Sequence, residues 1–463
     1  MKNHEHLFMN KKNGWNTENK DKIFSFCTGY KAFLNKSKTE REYTRNAVLD
    51  AVARGFKPLD EIDSLSPGDK VYRENRGKGI LLAVIGSEDI ENGINLVGAH
   101  IDSPRLDLKQ NPLYEDGEMA LFKTHYYGGI KKYQWTTIPL EMHGVFAKAD
   151  GSTFEVSAGG ADDDFTFTIS DLLPHLAVEQ SEKKLKEAIE GESLNILVSS
   201  IPAEGEDIKE PVKLAVLKYL NENYGITETD FVSAEIEFVP AFEVKDVGFD
   251  RGMIGGPGQD DRVCAYTSMI AAFEVEMPKR TAVCYLVDKE EIGSMGNTGM
   301  KSRFFENTMA EICALLKKDY SDLTLRRCLS ASKCLSADVC AAFDPNYPSV
   351  LEKNNMARAG YGVTIVKYTG SRGKSGSNDA SAEFVRDIVK AFDDSDVLWQ
   401  TSELGKVDLG GGGTIAQYVA NLNIDTIDCG VPLLSMHSPF ELSSKLDVYM
   451  AYRAYFAFLN TEF

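Results

Sequence analysis

The sequence predicts an α/β fold whose largely parallel sheet is interrupted by a β-rich segment. Three observations predict it. Short, continuously apolar runs bounded by turn residues recur at 79–86, 94–99, 281–287 and 424–429, as strands buried on both faces should. Helix-period segments alternate with them at 43–52, 262–273, 380–392 and 443–459, the pattern of parallel strands joined by crossover helices. From about 110 to 246 the texture changes to alternation and hairpin signals.

In chain order, Ser37-Lys-Thr-Glu40 reads as a capping box ahead of Tyr43, Ala47, Val48, Ala51 and Val52, with Gly55 as a stop. GILLAVIG at 79–86 and INLVGA at 94–99 are the first buried strands. In the middle segment, runs at 145–149 and 152–156 flank an Asp150-Gly151 turn and predict a hairpin. Phe165, Phe167 and Ile169 alternate with polar residues, 235–244 predicts a strand, and 182–189 a charged helix. After Gly255-Gly256-Pro257-Gly258 the α/β texture resumes. Strands are expected at 281–287, 361–367 and 424–429. Helices are expected at 262–273, at 380–392 with Phe384, Val385, Ile388, Val389 and Phe392 on one face, and at 443–459.

A chain of 463 residues exceeds what one hydrophobic core usually supports, so two domains are expected. The net charge of -19 argues against nucleic acid or an anionic membrane as partner, since both are polyanions. No apolar run reaches the roughly 18 residues that cross a bilayer, and the polar start, MKNHEHLFMNKKNGW, has no signal-peptide core. A cytoplasmic location is the expectation. The eight cysteines form no CxxC pair and sit mostly in apolar runs. That favours buried thiols over a disulfide or thiolate site.

Five places set polar residues beside apolar runs, where the fold gains nothing from them: His100-Ile-Asp102, Asp260-Asp261, Glu290-Glu291, Asp338 and His437. Each has an ordinary reading alone, as a loop histidine, a helix cap, a solvated pair or a turn. Together they point to the crevice at the carboxyl ends of parallel strands, where distant residues meet. Packed carboxylates repel one another unless a cation neutralises them. Two Zn²⁺ ions against three carboxylates and two neutral imidazoles leave about one net positive charge. Nitrogen and oxygen donors without thiolate suit a catalytic zinc site, and a paired site needs a bridging carboxylate.

The stretches GAHIDSPRLDLK at 98–109, GQDDRVCAY at 258–266, DKEEIGSMGNTG at 288–299, LSADVCAAFDPNY at 335–347 and LLSMHSPFE at 433–441 resemble, in order, the M18 family of metalloaminopeptidases. The resemblance implies a di-zinc exopeptidase of α/β class, with a phosphorylase/hydrolase-like α/β/α catalytic domain (1–109 and 247–463) interrupted by a β-rich dimerisation domain (110–246). It implies two zinc ions per subunit, with cobalt or manganese able to replace them. Asp260 would bridge them, His100 and Asp338 would complete one site, and Glu291 and His437 the other. Glu290 would be the general base, and Asp102 would orient His100 through its second nitrogen. His175, in LPHLA at 173–177, would reach a neighbouring subunit's site and stabilise the oxyanion there. Lys374 and the run Gly410–Gly413 before Thr414 would belong to the substrate pocket.

The implied activity releases N-terminal residues from peptides with a free N-terminus, and the implied assembly is a homo-oligomer, a tetrahedral dodecamer built from dimers. Two departures bear on the substrate. Asp261-Arg262 stands where aspartyl aminopeptidases have asparagine, and Ala341 and Asp344 replace their histidines. This places the chain nearer the family's bacterial branch and removes the grounds for expecting an acidic preference. Three rivals stay open: a di-zinc carboxypeptidase or deacylase, a catalytically silent assembly or cargo-binding protein, and a metal-stabilised structural protein.

Overall fold

The structure, a computed structural model, describes Leu7 and residues 11–148, 150–205 and 207–463. Its main sheet has nine strands, in the order Lys57–Pro58, Lys70–Glu74, Ile80–Val84, Thr281–Val287, Ile94–His100, Lys333–Ser336, Asp425–Gly430, Val363–Val366 and Trp399–Thr401. The four strands from Thr281–Val287 to Asp425–Gly430 run parallel. Ile80–Val84 and Val363–Val366 join them antiparallel on either side. The sheet is therefore mixed. A strand buried on both faces reads as an apolar run whichever way it points, so the sequence does not report its direction.

Both faces of this sheet are covered at its centre, which is why Ile80–Val84, Ile94–His100 and Thr281–Val287 are buried along their whole length. Ala282, Cys284 and Leu286 turn to one core, with the helices Lys20–Asn35, Glu40–Ala53, Gln259–Glu274, Ala382–Asp394 and Lys445–Leu459. Val283, Tyr285 and Val287 turn to the other, with Phe304–Leu316 and Asp322–Ala331. The architecture is α/β/α. The expected capping box lies two residues further on: Thr39 caps Glu40–Ala53 and exchanges hydrogen bonds with Glu42. Glu40 is instead buried beside Arg105 and Lys78.

A second, antiparallel sheet has six strands, in the order Thr153–Ala158, Leu140–Ala147, Glu235–Pro240, Arg105–Asp116, Met119–Tyr127 and Ile196–Ser199. Leu106, Phe122, Trp135, Phe146 and Phe238 form its core with Val212, Val216 and Leu220 of the helix Pro211–Tyr224. The expected hairpin is present, with Ala147 opposite Thr153; Ala149 at its turn lies outside the described residues. Phe165–Ile169 makes only isolated bridges at Phe167 and Thr168. The charged helix expected at 182–189 is two short pieces, Val178–Glu182 and Leu185–Ala188, and neither buries a residue. A segment that is polar all round has no face with which to anchor a longer helix.

A third sheet of five short strands carries Lys245–Val247, Met253–Gly256, Glu441–Ser444, Pro432–Leu434 and Cys340–Ala341. Met253–Gly256 pairs with Glu441–Ser444, which sets the turn before Asp260 against the loop that holds His437. Gly430 allows the close approach beside it: a Cβ there would fall 1.7 Å from the Asp338 carbonyl oxygen. Among the described residues, no helix is long and apolar enough to cross a membrane.

Candidate functional site

The parallel strands deliver polar groups at their carboxyl ends, the place a crevice forms in such sheets. His100 is the last residue of Ile94–His100, Glu290 and Glu291 open a short helix after Thr281–Val287, and Asp338 lies two residues beyond Lys333–Ser336. Asp260 stands at the start of Gln259–Glu274. His437 follows Pro432–Leu434 with a positive φ of 61°.

These side chains meet. His100 Nε2 lies 3.3 Å from Asp260 Oδ1, 3.9 Å from Glu290 Oε2 and 4.0 Å from Asp338 Oδ1. His437 Nε2 lies 3.2 Å from Asp260 Oδ2 and 3.5 Å from Glu291 Oε2. The two oxygens of Asp260 thus face different imidazoles. One ligand atom from each of His100, Asp260 and Glu291 lies within 4.8 Å of the others, and so does one from each of His100, Asp261 and Asp338.

Asp102 is fully buried behind His100. Its Oδ1 is 3.3 Å and its carbonyl oxygen 3.0 Å from His100 Nδ1. Its carboxylate also accepts the Glu290 and Glu291 amides, at 3.1 and 3.2 Å, and the Tyr127 hydroxyl at 2.8 Å. Glu441 does the same on the opposite side, accepting the amides of His437 at 2.7 Å and Asp260 at 3.0 Å.

The electrostatics of the cluster favour a cation. Burial, reinforced by neighbouring carboxylates, holds Glu291 and Asp338 well above the usual carboxylate range. Burial likewise pushes Glu290 up to about 7, against the pull of His100. Burial would depress His437, but Asp260 and Glu291 raise it to about 10. Through its own side chains alone, such a cluster approaches neutrality only by holding protons. A bound cation neutralises the same charge and displaces them. Among the described residues, Glu291 Oε1 is buried without a hydrogen-bond partner, so acceptor capacity is spare where a cation would sit. Cys340 lines the same cavity, but burial pushes its thiol up to about 12 and keeps it protonated. The remaining nitrogen and oxygen donors fit zinc.

The cavity beside the cluster measures about 460 Å³ and, besides the cluster itself, is lined by Val339, Val366, Leu404 and Met436, by Gly411–413 and Thr414, and by Thr369, Gln417, Tyr418 and Asp428. None of its lining residues is a lysine or arginine. Lys374 lies outside it, paired with Asp379 at 2.8 Å. His175 is also elsewhere in the chain, in a separate hollow with Asp171 and Glu179. Glu441, Tyr127 and Gly129 have no expected role from the sequence, and Asp261 is singled out there only as part of the Asp260-Asp261 doublet and as a departure from the family pattern. The Asp260-Asp261 doublet was a usable signal. Tyr127 and Gly129 come from the second sheet and carried none.

Comparison with known proteins follows the same lines. Residues 33–459 match the family described as aminopeptidase I zinc metalloprotease (M18). A probable M18 family aminopeptidase 1 of Clostridium acetobutylicum is 52% identical, over 97% of this chain and 98% of the relative. The crystal structure of an M18 aminopeptidase from Thermotoga maritima superposes with a TM-score of 0.95 at 48% identity, covering 98% of this chain and 100% of that one. A dodecamer of mApe1 from Saccharomyces cerevisiae shares the fold, with a TM-score of 0.75 at 20% identity, over 94% and 96% of the two chains. The relatives named are aminopeptidases, which lends no support to the carboxypeptidase, deacylase or silent-assembly readings. The chain belongs to the M18 family of zinc metalloproteases and is an aminopeptidase.

Proposed function

We propose that this aminopeptidase works with two zinc ions per subunit, bridged by Asp260. His100 and Asp338 would hold one ion and Glu291 and His437 the other. The observation that carries this reading is the splitting of Asp260, whose Oδ1 faces His100 and whose Oδ2 faces His437. The chemistry supplied by such a pair is polarisation of the scissile carbonyl and a lowering of water's pKa from 15.7 towards about 7.

The chain's own residues do the rest. Glu290, with Oε2 3.9 Å from His100 Nε2, takes the proton of the attacking water and returns it to the leaving amine. Asp102 fixes the His100 ring and the backbone of Glu290, so base and ligand share one anchor. The cavity lining mixes carboxylates with apolar side chains and holds no lysine or arginine, so it offers no cationic side chain to an acidic N-terminal residue. His175 would act in a neighbouring subunit on the oxyanion. Its exposed position within its own subunit supports that role.

We extend the reading to organisation. Residues 1–109 and 247–463 form the catalytic domain, and 110–246, centred on the six-stranded sheet, form the dimerisation domain. The assembly would be a dodecamer built from dimers; the yeast neighbour of the same fold is a dodecamer. The eight cysteines are buried and unpaired, which supports a reducing, cytoplasmic setting. A panel of aminoacyl substrates, with zinc, cobalt or manganese restored to the metal-free protein, tests the function. Cleavage of free but not acetylated N-termini is expected. Equal cleavage of N-acetylated peptides would sink the reading.

A further inference from the structure

We infer that the turn Tyr127-Gly128-Gly129, at the end of the strand Met119–Tyr127, positions the two metal-binding imidazoles separately. The inference rests on the ligand assignment proposed above. Tyr127 belongs to the six-stranded sheet, yet its hydroxyl donates to Asp102 Oδ2 at 2.8 Å, and Asp102 abuts His100 Nδ1. Two residues later, the Gly129 carbonyl lies 2.8 Å from His437 Nδ1. One turn therefore touches the far nitrogen of one histidine directly and that of the other through one carboxylate. Both rings keep Nε2 for the cluster.

The turn has to be glycine-rich to do this. Gly128 has a φ of +77°, and a Cβ on it would lie 3.2 Å from Glu291 Oε2. A Cβ on Gly129 would come into contact with the His437 ring, 3.4 Å from Nδ1, although its backbone is not in the left-handed region. Tyr127 is fixed from behind: the Arg105 guanidinium stacks 3.9 Å from its ring centre, and Arg105 is itself held by Asp107 and Glu40. Groups that orient a ligand imidazole through its second nitrogen change metal affinity by about 10–100-fold when removed. The second sheet thereby sets the metal centre of the first.

The test is a zinc titration of the full-length, metal-stripped protein against a chromophoric chelator, resolving the two ions. Tyr127→Phe should weaken the ion held by His100 about 10-fold or more and the other ion clearly less, its only link being the Glu291 amide on the same Asp102 oxygen. Gly129→Ala should weaken the opposite ion. A purely structural role would weaken both ions alike in each variant, and that result, or wild-type binding by both variants, overturns the inference. His100→Ala and His437→Ala separate the levels. If these each lose an ion while Tyr127→Phe and Gly129→Ala bind normally, only the positioning role fails. If all four variants bind two ions as wild type, the ligand assignment itself is wrong.

Discussion

The Glu441 carboxylate accepts the Asp260 amide on Oε2 at 3.0 Å, while its Oε1 takes the amide of His437 at 2.7 Å. One buried side chain thus fixes the backbone of two groups at the metal cluster from distant parts of the sequence. Glu441→Ala should lower zinc affinity and turnover by about 10–100-fold. Glu441→Gln should fall between, because its amide keeps one acceptor oxygen and turns a donor towards the other N–H. Zinc content by elemental analysis after dialysis checks both, and full zinc retention in Glu441→Ala would refute the role.

Glu290→Gln separates chemistry from binding. It removes the proton acceptor and leaves His100, Asp260, Glu291, Asp338 and His437 in place. Zinc content and melting temperature should stay at wild-type values while kcat falls by about 10²–10⁴-fold or more. Near-normal hydrolysis by the variant would assign the base elsewhere.

Asp260→Ala should do the reverse. Without the carboxylate that faces both imidazoles, the protein should keep its fold and lose zinc, with activity lost in proportion. A variant that still holds two ions per chain would exclude the bridge.

His143 gives a pH-dependent prediction away from the metal cluster. It sits in Leu140–Ala147 with Nδ1 2.8 Å from Glu42 Oε1 and Nε2 3.3 Å from Glu141 Oε2, and Lys38 pairs with Glu141 at 2.9 Å. Burial would lower its pKa, but Glu141 and Glu42 raise it to about 9. A raised value means the folded protein holds the proton more tightly than the unfolded chain. The stabilisation is therefore complete below the unfolded value, about 6.5, and is lost as pH rises through about 9. Its upper size is about 3 kcal/mol at 1.36 kcal/mol per unit. Urea unfolding at pH 6 and 9.5 should show this loss in the wild type and its absence in His143→Gln. Equal pH slopes in the two proteins would contradict it.

Much of the fold was legible where local pattern and tertiary burial agree. Thr281–Val287 appears with its expected bounds, because a seven-residue apolar run between polar ends has one economical placement. Lys20–Asn35 has no expectation from the sequence although Ile23, Cys27, Tyr30 and Leu34 form a buried stripe and Asn19 caps it, since its remaining residues are largely polar and an asparagine is as common in turns as at caps. Strand direction at Ile80–Val84 and Val363–Val366, and the whole third sheet, are matters of partner choice, which no local period encodes. At the site, His100, Asp260, Glu290, Glu291, Asp338 and His437 could be named because acids and imidazoles at strand ends are chemically conspicuous. Gly129 contributes a carbonyl oxygen, and Tyr127 a hydroxyl, from another sheet. Nothing in a residue's identity announces such a contribution.

The most direct test of the central claim is anomalous scattering at the zinc edge from crystals of the zinc-loaded protein. Two peaks about 3.5–4 Å apart are predicted, one among His100, Asp338 and Asp260, the other among Glu291, His437 and Asp260. A single peak, or peaks away from Asp260, would contradict the account.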